Sequence, residues 1–207
     1  RLRHPRPCVL AADGAMSTFY RPAGLSLPPD ARRDFDRIKS LADSATSDLL
    51  IQPSWDQNLQ IVDAIQSTGS QDVVREAVYL CRKKLNSIRA PRVVYMTLVL
   101  VETLVKNCGE RVHREVNDAG FMRTMMNVAR NYWNKSGREN QQVGEKVVDL
   151  IQAWGEGFKE HKSRYPNIVD AYFTLRKEGV RFKPQYDQTT VPIFSPPGAE
   201  RRSSGGG

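Results

Sequence analysis

The sequence predicts an all-α protein, about eight helices on short connections stacked in the manner of an α-solenoid. Three observations carry this. Apolar residues recur at three- and four-residue intervals through most of 30–182, with no strand-like alternation. The connections between the periodic runs are short, which sets consecutive helices antiparallel. One run, from Arg89 to Gly109, is apolar all round a helical wheel, so other helices must cover it on every side.

Length and charge bound the rest. A chain of 207 residues holds one core plus tails, not two ordinary domains with linkers. The net charge of +8 favours anionic partners such as nucleic acid, phosphoinositide headgroups or acidic peptides, unless the excess sits in the ends, where Arg1, Arg3, Arg6, Arg201 and Arg202 lie. Cys8, Cys81 and Cys108 are an odd number without metal-ligand spacing; the latter two fall in helical patterns and read as small buried apolar residues, which suits a reducing compartment.

Residues 1–28 carry prolines and arginines but no sustained apolar period, and read as a disordered extension with Met16 as a candidate start. From Pro29, a first helix places Phe35, Ile38, Leu41, Ala42, Ala45 and Leu49 at helical spacing. After a turn at Gln52-Pro53, Ser54-Trp55-Asp56-Gln57 has the form of a capping box and opens a helix to about Gln66 with core face Ile61, Val62 and Ile65. Trp55 and Leu59 lie off the centre of that stripe. A third helix spans Gln71 to Leu85, with Val74, Ala77, Val78, Cys81 and Leu85 on one face.

Pro91 then opens the central helix at a position whose N–H has no intrahelical partner, and Gly109 closes it in the left-handed conformation. Arg92, Glu102 and Lys106 give that helix the wrong composition for a membrane span. A short helix follows, with His113 expected at its surface. A break at Ala119-Gly120 precedes another helix from Phe121 to Tyr132. Beyond Ser136-Gly137, the run from about Asn140 to Phe158 carries the stripe Val143, Val147, Leu150, Ile151, Trp154 and Phe158. The last helix, after Tyr165-Pro166, contains Ile168, Val169, Tyr172, Phe173 and Leu175 and stops at Gly179. Residues 184–207 are rich in Pro, Gly and Ser and read as a disordered linker after a domain over 29–183.

The chain carries no G-x-S-x-G, P-loop, H-E-x-x-H or G-x-G-x-x-G pattern, and its three histidines are scattered. The expectation is a binding module with no catalytic residues, no metal and no cofactor.

Several stretches resemble the VHS domain, the N-terminal module of endosomal sorting adaptors, most like the Target-of-Myb-like group. ATSDLL (45–50) is similar to the family's first-helix signature, and SWDQNLQIVDAI (54–65) to its second-helix pattern, with Ser54 for the usual Asp and Val62 for the usual Cys. DVVREAVYLCRKKL (72–85) is similar to the third helix, and PRVVYMTLVLVETLVKNCG (91–109) to the buried fourth helix with its V-K-N-C-G ending. EKVVDLIQAWGEGF (145–158) and AYFTLRKEGVRF (171–182) are similar to the sixth and eighth. The tail VPIFSPP (191–197) is similar to the linker that leads to a GAT domain in Target-of-Myb-like adaptors.

The resemblance implies a right-handed superhelix of eight helices and a non-catalytic adaptor that binds ubiquitin on membrane cargo for endosomal sorting and vesicle-mediated transport. It implies a cytoplasmic protein associated peripherally with endosomal or Golgi membranes, without nucleic acid as a partner. The implied ubiquitin contact centres on Trp55 and Leu59, with rim hydrogen bonds from Asp56, Asn58 or Asp63. Two alternatives stay open. One is a phosphoinositide-headgroup patch of Arg82, Lys83, Lys84, Arg89 and Arg92. The other is a groove for acidic-dileucine sorting peptides between the sixth and eighth helices, with Lys146, Tyr172, Arg176 and Lys177.

Overall fold

The structure of the protein is a computed structural model, and it describes residues 27–183. The expectations for an N-terminal extension, for Met16 and Cys8 and for the C-terminal linker fall outside the described residues, except that Leu27 is already part of the core. Among the described residues there are eight α-helices and no strand: α1 Pro29–Ala45, α2 Trp55–Ser67, α3 Gln71–Leu85, α4 Pro91–Asn107, α5 Gly109–Val116, α6 Ala119–Tyr132, α7 Arg138–Gly157 and α8 Pro166–Lys177, with a 3-10 turn at Lys159–His161. Pro29, Pro91 and Pro166 each sit in a first turn, where the missing N–H costs nothing.

α4 is the covered centre of the stack. Its residues Leu98, Val99, Leu100 and Val101, successive around the wheel, are all buried. α1, α2, α3, α5 and α7 pack around it. Thr97 and Thr103 are buried there too, and each donates its hydroxyl to a carbonyl one turn back, Val93 O at 2.7 Å and Val99 O at 2.8 Å, so neither is an orphan polar group. Gly109, at φ 58°, turns the chain from α4 into α5. No described helix is long and apolar enough to cross a membrane.

Local chemistry moved several boundaries. α1 ends at Ala45, so Leu49 does not extend its core stripe and is 85% exposed. The cause is competition from side chains: the Thr46 hydroxyl donates back to Ala42 O, and Ser47 Oγ accepts the Leu49 N–H at 3.2 Å, which diverts the backbone from the helical ladder. The capping box at Ser54 does not form. Ser54 makes no side-chain cap bond, the first turn is closed by the backbone bond Asn58 N–H to Ser54 O (3.0 Å), and Gln57 Oε1 meets no donor among the described residues. The break before α6 falls at Asp118, whose carboxylate accepts the Phe121 N–H at 2.9 Å, so Ala119 and Gly120 are inside the helix.

His113 is buried, not at the surface. α5 is packed against α3 and α4, and its short length turns Val112, His113 and Val116 inward together. Nε2 lies 2.8 Å from Val105 O and donates to it, since a carbonyl oxygen only accepts. The ring stands edge-on to Phe158 at 5.0 Å between centroids. The stretch compared above with the family's sixth helix is α7 in chain order; α6 is Ala119–Tyr132.

The two ends of the stack are closed differently. At one end Arg111 threads its guanidinium among the last carbonyls of α2 and the turn beyond, donating to Ile65 O (3.2 Å), Thr68 O (2.8 Å) and Ser70 O (3.1 Å). At the other end the connections α1–α2, α3–α4 and α6–α7 meet. Tyr132 Oη donates to Ile88 O at 2.5 Å, and Arg92 donates to Asp48 O at 3.1 Å and to Glu139 at 2.7 Å.

Candidate binding surface

α2 presents a narrow apolar strip to solvent. Its inward side is built from Asn58, Ile61, Val62, Ala64 and Ile65, which fill the space against α1 and α4. At 100° per residue, Trp55 and Leu59 fall on the flank of that face, one helical turn apart. They are 59% and 52% exposed, so an indole and an isobutyl group stand side by side in water on a helix whose other apolar residues are buried. Gln66, two turns further along the same flank, donates to Asn107 O at 2.8 Å, so the end of α4 borders the strip.

The rim is acidic. Asp56 is exposed and accepts from Gln60 Nε2 at 2.8 Å, which keeps it on the helix surface beside Trp55. Asp63 is exposed and lies toward Cys108; burial pushes the Cys108 thiol up to about 11, with Arg111 opposing the rise and this carboxylate adding to it. Cys81, deeper in the core, is pushed up to about 12 by burial, so both cysteines are neutral thiols of low nucleophilicity. Asn58 is buried and faces away from the rim, so it is not placed to serve there.

The basic residues of the lipid alternative are dispersed by their partners. Arg82 stands 3.8 Å from Asp118 and over the Tyr79 ring. Lys84 pairs with Asp43 at 2.8 Å; burial alone would raise that carboxyl, but Lys84 and Lys39 outweigh it and hold it below the usual range. Arg92 is taken up by Asp48 O and Glu139. Only Lys83 and Arg89 of the five are exposed without an acidic partner among the described residues.

The four residues of the peptide-groove alternative divide between two places. Lys146 on α7 reaches α4, where with Lys106 it brackets Glu102; burial would raise the Glu102 carboxyl, and the two lysines outweigh it and lower it. Tyr172 is buried against Gly155 and Phe182, with its hydroxyl 3.4 Å from Glu156. Arg176 and Lys177 are exposed in the last turn of α8.

Sequence reasoning missed Leu49 and Ile51, the most exposed large apolar side chains described. The signal was present in TSDLLIQPS, where turn-forming residues on both sides strand the apolar ones in a loop. Among the described residues, no group of three or more His, Cys, Asp or Glu side chains is placed to hold a metal ion.

Comparison with known proteins follows the same outline. Residues 33–179 match the family model described as VHS domain. TOM1-like protein 9 of Arabidopsis thaliana is 33% identical over 160 residues, 77% of this chain and 22% of that protein. TOM1-like protein 2 of Homo sapiens is 30% identical over 154 residues, 74% of this chain and 29% of that protein. The chain therefore spans less than a third of the length of either relative. Among solved structures, the VHS and FYVE tandem domains of Hrs, described as a protein involved in membrane trafficking and signal transduction, superpose with a TM-score of 0.59 at 28% identity, covering 72% of this chain and 64% of that one.

Proposed function

Because the chain belongs to the VHS domain family, we propose that it is a non-catalytic adaptor module that captures ubiquitin on membrane cargo for endosomal sorting and vesicle-mediated transport. The observation that carries this is the exposure of Trp55 and Leu59, the pair on which the implied ubiquitin contact centres. A free protein gains nothing in stability by leaving an indole in water; the exposure is useful to a partner that covers it. The patch is small, which suits the weak, reversible contact that cargo hand-over requires. The acidic residues at its edge, Asp56 and Asp63, are placed to orient a partner rather than to add much affinity. The trafficking role described for Hrs is in keeping with this reading.

The two alternatives receive less support. Lys84, Arg82 and Arg92 are already engaged by carboxylates, and Tyr172 is buried where a peptide groove would need it open.

The test is a titration of isotope-labelled ubiquitin with the full chain, followed by NMR. Shifts on ubiquitin's apolar patch are expected with the parent. Trp55→Ala and Leu59→Ala should each weaken binding by about tenfold or more while the helical circular dichroism is unchanged. An absence of shifts at millimolar protein, or parent-like binding by a folded Trp55→Ala, would refute the reading.

A further inference from the structure

The chain is held beyond the end of α8. Gly179, at φ 87°, stops the helix. Its N–H goes to Arg176 O at 3.2 Å and the Val180 N–H to Leu175 O at 3.1 Å, the paired bonds of a Schellman stop. Val180 and Leu175 are both buried, the apolar contact that accompanies this motif. The turn therefore sends the chain back over the helices. Residues 180–183 lie beyond the stretch that matches the VHS domain model, which ends at 179.

Two side chains receive the returning segment. Gln152 on α7 reads the main chain of Lys183 with both ends of its amide. Its Oε1 accepts the Lys183 N–H at 3.0 Å, and its Nε2 donates to the Lys183 carbonyl at 2.8 Å. Nε2 also donates to Glu156 Oε1 at 3.1 Å. Tyr172 on α8 meets the Phe182 ring edge-on, 4.8 Å between centroids. Pro184 follows in the sequence and biases Lys183 toward an extended backbone, which presents its N–H and carbonyl to one amide. Lys183 Nζ lies 2.6 Å from Asp149, but both side chains are exposed, so that pair adds little. Gln152 is 9% exposed, and its bonds are shielded from water as the ion pair is not.

We propose that Gln152 and Tyr172 form an intramolecular binding site for the segment Val180–Lys183. This latch fixes the point from which residues 184–207 depart: beside Asp149, near the middle of α7, and not at the tip of α8. Recognition is of main chain and one aromatic ring, so Gln152 and Phe182 carry it and the exposed charges do not. It does not rest on ubiquitin binding, since none of these residues is on α2.

Amide hydrogen exchange of the full chain, resolved by NMR, tests it. The Lys183 amide is expected to exchange about tenfold or more slower than a free-chain amide, although its residue is exposed. Gln152→Leu keeps the size of the side chain and removes both bonds; it should abolish that protection with the helical circular dichroism unchanged. Phe182→Ala should weaken it. Carbodiimide cross-linking gives a second readout. A Lys183–Asp149 cross-link is expected in the parent and should be depleted in both variants. The Lys162–Asp170 pair, 2.9 Å apart and away from the latch, should cross-link equally in all three proteins. Free-chain exchange of the Lys183 amide in the parent overturns the proposal, and so does parent-like protection in Gln152→Leu. Should Gln152→Leu not fold, Phe182→Ala removes a ring that is only partly buried, and parent-like protection and cross-linking in that variant overturn it as well.

Discussion

His113 is the residue whose environment departs most from what its type suggests. It sits between Phe158 and Tyr165, donates from Nε2 to Val105 O, and has no donor for Nδ1 among the described residues. Burial lowers its pKa below the ordinary 6.5, and the Val105 carbonyl opposes this without reversing it. The folded form is therefore neutral where the unfolded chain begins to take up a proton. Unfolding binds a proton as pH falls below 6.5, so stability is present above that value and declines beneath it. Thermal melts should show a falling midpoint from about pH 6.5 toward pH 5 in the parent. In His113→Gln that slope should be reduced. Equal slopes in parent and variant would show that the imidazole does not control the transition. The same pair of residue-scale questions, what is buried and what is not, divides the candidate site. That Trp55 and Leu59 lie off the core stripe was legible because their i, i+4 spacing belongs to α2 alone; that both are exposed was decided by packing. The burial of His113 was not legible, because the rings that stand against it, Phe158 and Tyr165, lie more than forty residues away in the chain.

At the scale of elements, α7 owes its position to two glycines. A Cβ on Gly144 would stand 2.5 Å from the Tyr132 carbonyl oxygen, and one on Gly155 would stand 2.3 Å from the Tyr172 Cβ. The first lets α7 lie against the end of α6, the second lets it lie against α8. Backbone cannot yield as a side chain can, so Gly144→Ala should destabilise by about 2–3 kcal/mol. Gly69, in the α2–α3 connection, has nothing within 4 Å and no positive φ. Gly69→Ala should therefore be neutral or stabilising by up to about 1 kcal/mol. Urea denaturation of the three proteins checks both, and a Gly144→Ala midpoint equal to the parent's would refute the close-approach argument. Helix starts were partly legible. The proline-initiated helices begin where the sequence places them, since a fixed φ and a missing N–H are properties of one residue. The Ser54 cap failed and the Asp118 cap succeeded, because a cap bond depends on how the incoming chain is aimed.

For the whole molecule, the contrast between ends matters most. The Arg111 end is a closed network in which one guanidinium satisfies carbonyls that would otherwise be left at the exit of α2. Arg111→Ala should cost about 2–3 kcal/mol, the range for a charged donor lost from buried acceptors. Arg111→Lys should recover little of it, since an ammonium cannot reproduce the planar fork. Chemical denaturation of both variants is the check, and full recovery by lysine would mean that charge alone is at work. The opposite end is tied through Arg92 and Tyr132 but leaves its apolar tips in water.

The sequence by itself determined the class, the order of the helices, the covered central helix and the family, because apolar periodicity, Pro91 and Gly109 act within a turn or two of their own positions. Tertiary structure alone decided which cations stay free, which face of α5 is covered and which end carries Leu49, Ile51 and Ile88. Those outcomes rest on bonds such as Arg92 to Asp48 O and Tyr132 Oη to Ile88 O, each joining residues 44 apart in the chain. A side chain's helical period is written locally; its partner is set by which helix folds back against it.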